Sequence, residues 1–198
     1  YIDSAQTATV KNSNIDTTNI GVNLQHDTSK FIMETGTIKS NSYGINAYGT
    51  TTDVNLKDVK LISENATAIY DNRSGGPNNI TLEGSEVTGA EHGIYLYNAN
   101  IIASNSIITT TSVNRDNYAV YYNAGPNGSV TLNEGTVLNA EKASGLYSYY
   151  KGATLNGVTI NADAENSYGA YIYGPGTVNI KNGTTINTPG CSSYGMYY

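Results

Sequence analysis

The chain has 198 residues and carries 16 acidic side chains against 10 Lys and Arg, a net charge of −6, which excludes the basic face that nucleic-acid binding requires. No apolar run of about 18 residues is present, so no segment reads as a membrane-spanning helix. Only 13% of residues are charged, and 18 Tyr and 21 Gly stand against one Phe and no Trp, a composition too poor in helix formers for packed amphipathic helices and rich in strand and turn formers.

Along the chain a small residue followed by an apolar one recurs at intervals of 23 to 26 residues. The first repeat opens at Gly21-Val22 and continues through Phe31-Ile32-Met33 and Gly36-Thr37-Ile38. The second runs Gly44-Ile45, Val54-Asn55-Leu56, Val59-Lys60-Leu61, and the third Ala68-Ile69, Ile80-Thr81-Leu82, Glu86-Val87-Thr88. The fourth holds Gly93-Ile94-Tyr95-Leu96-Tyr97 and Ile107-Ile108-Thr109. The fifth reads Ala119-Val120, Val130-Thr131-Leu132, Thr136-Val137-Leu138, and the sixth Gly145-Leu146, Ala153-Thr154-Leu155, Val158-Thr159-Ile160. Gly169-Ala170, Val178-Asn179-Ile180 and Thr185-Ile186-Asn187 form the seventh, and Gly195-Met196 opens an eighth.

Within these pieces apolar residues mostly alternate with Thr or Asn, the period of a strand with one buried face. Polar steps such as Glu34-Thr35-Gly36, Glu83-Gly84, Asn133-Glu134-Gly135, Asn156-Gly157 and Asn182-Gly183 supply the positive φ of a tight corner between second and third pieces. Residues 74–77 and 124–128 read as protruding loops, and Gly174-Pro175-Gly176 as a shorter corner of the same kind. Strands this short bury their inner faces only by stacking copy on copy. The expected fold is therefore all-β: a right-handed parallel β-helix of about eight rungs of 23–26 residues, three strands per rung. Residues 1–198 are expected to form one segment of such a solenoid, truncated at both ends. A propeller blade needs more residues per repeat, and an antiparallel sandwich predicts no register between repeats.

The run Ser167-Tyr168-Gly169-Ala170-Tyr171-Ile172-Tyr173, followed by Gly176-Thr177-Val178-Asn179-Ile180-Lys181-Asn182-Gly183-Thr184-Thr185-Ile186-Asn187, resembles the passenger repeats of bacterial autotransporters of the AIDA, pertactin and antigen-43 type. The resemblance covers nearly the whole chain as a style of repeat. It implies a secreted or cell-surface segment, tethered to the outer membrane through a translocator barrel that this segment lacks.

Aligning the first strands places Asn23, Asn46, Tyr70, Tyr95, Tyr121, Tyr147, Tyr171 and Tyr197 at one outward position. Two residues on, a second column reads Gln25, Tyr48, Asn72, Tyr97, Asn123, Tyr149 and Tyr173. Stacked a strand spacing apart, such rings form a ladder, which by itself is a structural device. As a binding face, Tyr70, Tyr95, Tyr97, Tyr121, Tyr147, Tyr149, Tyr171, Tyr173 and Tyr197 offer a flat aromatic strip for the apolar faces of sugars or for a protein surface. The expected function is a surface adhesin that attaches to host glycans or extracellular-matrix proteins, or associates with its own copies. The alternatives are a spacer that presents a distal domain and, behind it, a polysaccharide lyase or glycosidase. Tyr43, Tyr118, Tyr168 and Tyr194 precede the small residue, with His92 in that place in the fourth repeat, and are expected to pack over the end of the core.

Little points to catalysis. A glycosidase needs two carboxyl groups about 5–9.5 Å apart, whereas the column Glu34, Lys57, Glu83, Ser104, Asn133, Asn156, Lys181 holds no adjacent acids. Glu83, Glu86, Asp53 and Asp58 read as solvated corner residues. Asp71 takes an inward position, so either the strand ends there or its side chain turns to cap a loop. Asp71, Asn72 and Arg73, with Arg115 and Asp116, suggest at most a polar patch or a surface ion pair. His26 and His92 lie almost three repeats apart, and His92 reads as a hydrogen-bonded corner residue. Cys191, the single cysteine, excludes an intrachain disulfide and is expected to be buried or half-buried. No cofactor, metal or catalytic residue is expected.

Overall fold

The computed structural model describes residues 2, 5–72, 75, 77–123, 128–150 and 152–198. Among them there are 21 strands and no helix. The chain enters through β1 (Thr7–Thr17). Rung one is β2 (Val22–Leu24) and β3 (Lys30–Ser40), and rung two is β4 (Ile45–Ala47) and β5 (Asp53–Ser63). Rung three comprises β6 (Ile69–Asn72), β7 (Asn78–Glu83) and β8 (Glu86–Gly89). Rung four comprises β9 (Ile94–Tyr97), β10 (Ala99–Ser104) and β11 (Ile107–Thr110). In rung five these are β12 (Tyr118–Tyr122), β13 (Ser129–Leu132) and β14 (Val137–Ala140). In rung six they are β15 (Ser144–Tyr149), β16 (Gly152–Asn156) and β17 (Thr159–Ala162). Rung seven is β18 (Tyr168–Tyr173), β19 (Thr177–Lys181) and β20 (Thr185–Asn187), and β21 (Tyr194–Tyr197) opens rung eight.

Every strand pairs in parallel with its counterpart in the next rung, giving a β-solenoid of about eight turns, a parallel β-helix. The first strands form an eight-stranded sheet, and the second and third strands share a 13-stranded one. The register follows the small–apolar steps without a slip: Val22, Ile45, Ile69, Ile94, Val120, Leu146, Ala170 and Met196 are successive partners. In β1, β3 and β5 the second and third pieces run on as one strand of 11 residues. They separate only from rung three onward. The bend survives in the long strands, because Asn12, Thr35 and Asp58 still take φ of 47°, 61° and 52°.

The signature step has a packing cause. The small residue faces the apolar side chain of its own rung's third strand. A Cβ on Gly44 would stand 2.4 Å from Leu61 Cδ2, one on Gly145 2.3 Å from Ile160 Cγ2, and one on Gly169 2.2 Å from Ile186 Cγ2. These distances are far inside ordinary contact. The core is the sum of such layers, with Leu24, Phe31, Met33, Ile38, Leu56, Ile80, Ile94, Ile101, Val120, Leu138 and Ile160 all buried. At roughly 1.5–3 kcal/mol per buried Leu, Ile or Phe, these layers drive the stacking.

Small hydroxyls line the inside of the corners. Ser85 Oγ accepts from Val59 N–H at 3.1 Å, Ser106 Oγ from Ser85 N–H at 3.1 Å, and Thr184 Oγ1 from Val158 N–H at 3.2 Å. They supply partners to backbone groups that the turn withdraws from the ladder. On the outside, rungs one to three and β1 are tied by ion pairs one rung apart: Lys11–Glu34 at 2.8 Å, Lys57–Glu83 at 3.6 Å, Lys60–Glu86 at 3.3 Å and Lys39–Glu64 at 2.8 Å. Later rungs substitute amides, as in the Asn139, Asn161, Asn187 ladder with links of 2.9 Å.

Two local expectations change. Asp71 does not end its strand, which runs to Asn72. It is fully buried, pairs with Leu96 in register, and accepts a hydrogen bond from Asn78 Nδ2 at 3.1 Å. Cys191 is exposed, not buried: it takes the corner position that the exposed Glu165 holds one rung earlier, each followed by a residue with left-handed backbone, Ser192 and Asn166. The loops expected at residues 74–77 and 124–128 fall largely outside the described residues, as does Arg73 of the suggested polar patch. Of that patch, Arg115 and Asp116 form a surface ion pair at 3.8 Å.

Candidate functional site: the tyrosine face

The eight-stranded sheet carries no charged side chain on its outer face; Asp71, the one charge in its strands, points inward. The outward column is in register through Asn23, Asn46, Tyr70, Tyr95, Tyr121, Tyr147, Tyr171 and Tyr197. Its six rings form one unbroken stack, with centroid separations of 5.1, 5.0, 4.7, 5.4 and 5.0 Å from Tyr70 to Tyr197. The spacing is that of the strands themselves, near 4.8 Å.

That spacing dictates what the strip displays. Nearly parallel rings at 5 Å cannot lie side by side in one plane without overlapping, so they are stacked face to face with an offset. Ring faces inside the column are therefore covered by the rings above and below. The ladder shows solvent its edges and hydroxyls, not the open ring faces that the repeat alignment suggests.

The second column is broken. Tyr149 and Tyr173 stack at 5.2 Å and 5°, but Tyr97 lies two rungs from Tyr149, beyond the fifth rung. Asn72 sits between Tyr48 and Tyr97. The structure thus unites Tyr70, Tyr95, Tyr121, Tyr147, Tyr171 and Tyr197, sets Tyr149 and Tyr173 beside them, and leaves Tyr97 apart.

The aromatics preceding the small residue join this face instead of covering the core. Tyr43 stacks on Tyr70 at 4.6 Å, Tyr118 meets Tyr121 and Tyr147 at 5.5 and 5.4 Å, and Tyr168 meets Tyr171 edge-on at 4.9 Å. His92 lies 4.9 Å from Tyr121 and accepts the Tyr118 N–H at Nδ1, 3.0 Å away. Its other aromatic neighbours are Tyr95 and Tyr118. Burial lowers the His92 pKa to about 4 against the backbone hydrogen bond, so the ring is neutral near pH 7.

Desolvation also raises the phenols. It is the leading cause for Tyr70, Tyr118, Tyr121, Tyr147 and Tyr171, with neighbouring hydroxyls adding to it, and Tyr147 reaches about 12. The face is consequently neutral and hydroxyl-rich across the physiological range.

Acid chemistry has little support among the described residues. Glu83 and Glu86 are exposed, Glu34 and Asp53 half-buried, and all four are paired with lysines of the neighbouring rung, and among the described residues no group of three or more His, Cys, Asp or Glu is placed to hold a metal. His26 is exposed, its Nδ1 2.7 Å from the Asp27 carbonyl oxygen.

Two residues escape the sequence alignment. Tyr122 is an inward core residue, fully buried, hidden in the sequence beside the outward Tyr121. Tyr150 follows Tyr149 at a position where the other rungs carry His26, Gly49, Arg73, Asn98, Ala124 and Gly174, a column too varied to single it out. No protein-family model, no curated protein and no solved structure matches this chain.

Proposed function

We propose that the chain is an attachment segment of a bacterial surface protein, an autotransporter-type passenger in which the tyrosine face is the contact surface. The observation that carries this reading is the unbroken stack from Tyr70 to Tyr197 on an uncharged sheet. A rigid row of ring edges and hydroxyls suits a protein surface, where Tyr gives contact area at low entropic cost. It suits sugars less well, since their apolar faces need open rings. The partners are accordingly extracellular-matrix proteins or further copies of the chain, ahead of host glycans. In this reading the protein stands outside the cell, is held at the outer membrane by a separate barrel, and performs no catalysis.

The covered ring faces also favour a second reading, in which the ladder stiffens a spacer that holds a distal domain away from the cell. Particles coated with the chain separate the two. Attachment predicts capture on matrix-protein surfaces or clustering of the particles; a spacer predicts neither.

A further inference from the structure

We propose a separate binding site on the other sheet: a groove across rungs five to seven that takes a short neutral oligosaccharide, with Tyr150 as its aromatic wall. The groove has a volume of about 830 Å³, a size proper to small-molecule sites. Its floor is two outward columns in register, Ser129, Gly152, Thr177 and Thr131, Thr154, Asn179. Pro175 and Gly176 close the side facing rung seven.

The same columns differ earlier in the solenoid. Rungs one to four place Lys30, Asp53, Asn79, Asn100 and Ile32, Asn55, Thr81, Ile102 there. Charge thus stops before the groove, and at rung six Gly152 removes the side chain altogether. Its backbone enforces this choice: φ is 69°, and a Cβ would stand 2.0 Å from the Thr177 carbonyl oxygen.

Tyr150 is the less expected residue. Its φ is 71°, in the left-handed region, where a bulky side chain is an outlier. The equivalent residues with left-handed backbone in rungs four and seven are Asn98, φ 63°, and Gly174, φ 105°, the types that tolerate this conformation. The side chain is half exposed all the same, and its ring is held against Tyr149 at 4.2 Å and 69°. Left-handed backbone recurs at corners of this solenoid, as at Thr28, Thr35 and Thr51, and at this corner it sets an aromatic ring beside the groove.

The occupant follows from the lining. Among the described residues no lining side chain is charged, so they offer no ion-pairing partner to an acidic or basic ligand. The sheet's backbone groups are already spent on pairing between rungs, so an extended peptide laid on its face finds no ladder to join. Ser129 Oγ donates to Asn100 Oδ1 at 2.9 Å, and the column Thr131, Thr154, Asn179 presents hydroxyl and amide side chains repeating at about 4.8 Å, close to the length of one sugar ring, beside one aromatic ring for the apolar face of a pyranose. One ring per rung gives a trisaccharide lying along the solenoid axis.

The test uses the whole chain with cellotriose, maltotriose, mannotriose and chitotriose, and trigalacturonate as the charged control, followed by NMR titration. At least one neutral trisaccharide binds and shifts Thr131, Thr154 and Asn179, and trigalacturonate does not. Tyr150→Asn weakens that binding by roughly tenfold, equivalent to about 1.4 kcal/mol, while its melting temperature stays the same or rises. Thr154→Val, which keeps shape and strand preference, also weakens it. A chain that binds none of the neutral probes, binds trigalacturonate better, or binds as before with Asn at position 150 overturns the proposal. Because the groove and the tyrosine face lie on different sheets, either can fail alone.

Discussion

The rings of Tyr121 and Tyr147 lie 4.7 Å apart and within 10° of parallel, although 26 residues separate them in the chain. Each touches another ladder ring on its far side. Tyr121→Ser therefore removes two stacks, at about 0.5–1.5 kcal/mol each, together with half-buried apolar area. The expected cost is about 2–3 kcal/mol in urea denaturation. Tyr121→Phe keeps the stack and loses less than about 1 kcal/mol.

The step that opens each rung makes a second expectation. Gly145 faces Ile160 so closely that a methyl group has no room, and Gly145→Ala should cost about 1–3 kcal/mol by overpacking. Ile160→Val keeps the Cγ2 methyl that meets position 145 and leaves the Gly169 carbonyl oxygen in place, so adding it should recover none of the loss, and a double-mutant cycle should show the two costs adding.

His92 gives a pH dependence. Its folded pKa is about 4 against an ordinary 6.5, so the unfolded chain takes up the proton first as pH falls. The associated stability is fully present above about pH 6.5 and is lost progressively down to about pH 4, by up to about 3 kcal/mol. His92→Asn keeps an acceptor for the Tyr118 N–H and does not titrate. Denaturation midpoints between pH 7 and pH 4 should fall less steeply in that variant than in the parent chain.

The solenoid was legible because its register is written in side chains: in rungs one, two, four, six and seven the small–apolar step reports a packing contact between glycine and a third-strand Leu or Ile, and a small–apolar step repeats once per rung. The tyrosine columns followed from that register alone. Other features were not legible. Alignment places rings in a column but carries no ring orientation, so the covered faces emerge only when rings wider than the strand spacing must share it. Asp71 breaks the apolar rule of its column, and its partner Asn78 lies past the corner, where no periodicity points to it. Tyr43, Tyr118 and Tyr168 stand before the step, and only the path of the corner decides that they lean outward onto the ladder. Cys191 was misjudged for a similar reason, since it stands at a corner position whose counterpart one rung earlier, Glu165, is also exposed.

The proposal that this face makes attachments is tested most directly by replacing Tyr95, Tyr121, Tyr147 and Tyr171 together with Phe and measuring attachment of chain-coated particles to matrix proteins and to one another. The substitution keeps the stack and deletes only hydroxyls at the exposed edges. The expected result is an unchanged circular dichroism spectrum with attachment reduced to that of uncoated particles. Attachment at the parent level in the folded variant would contradict it.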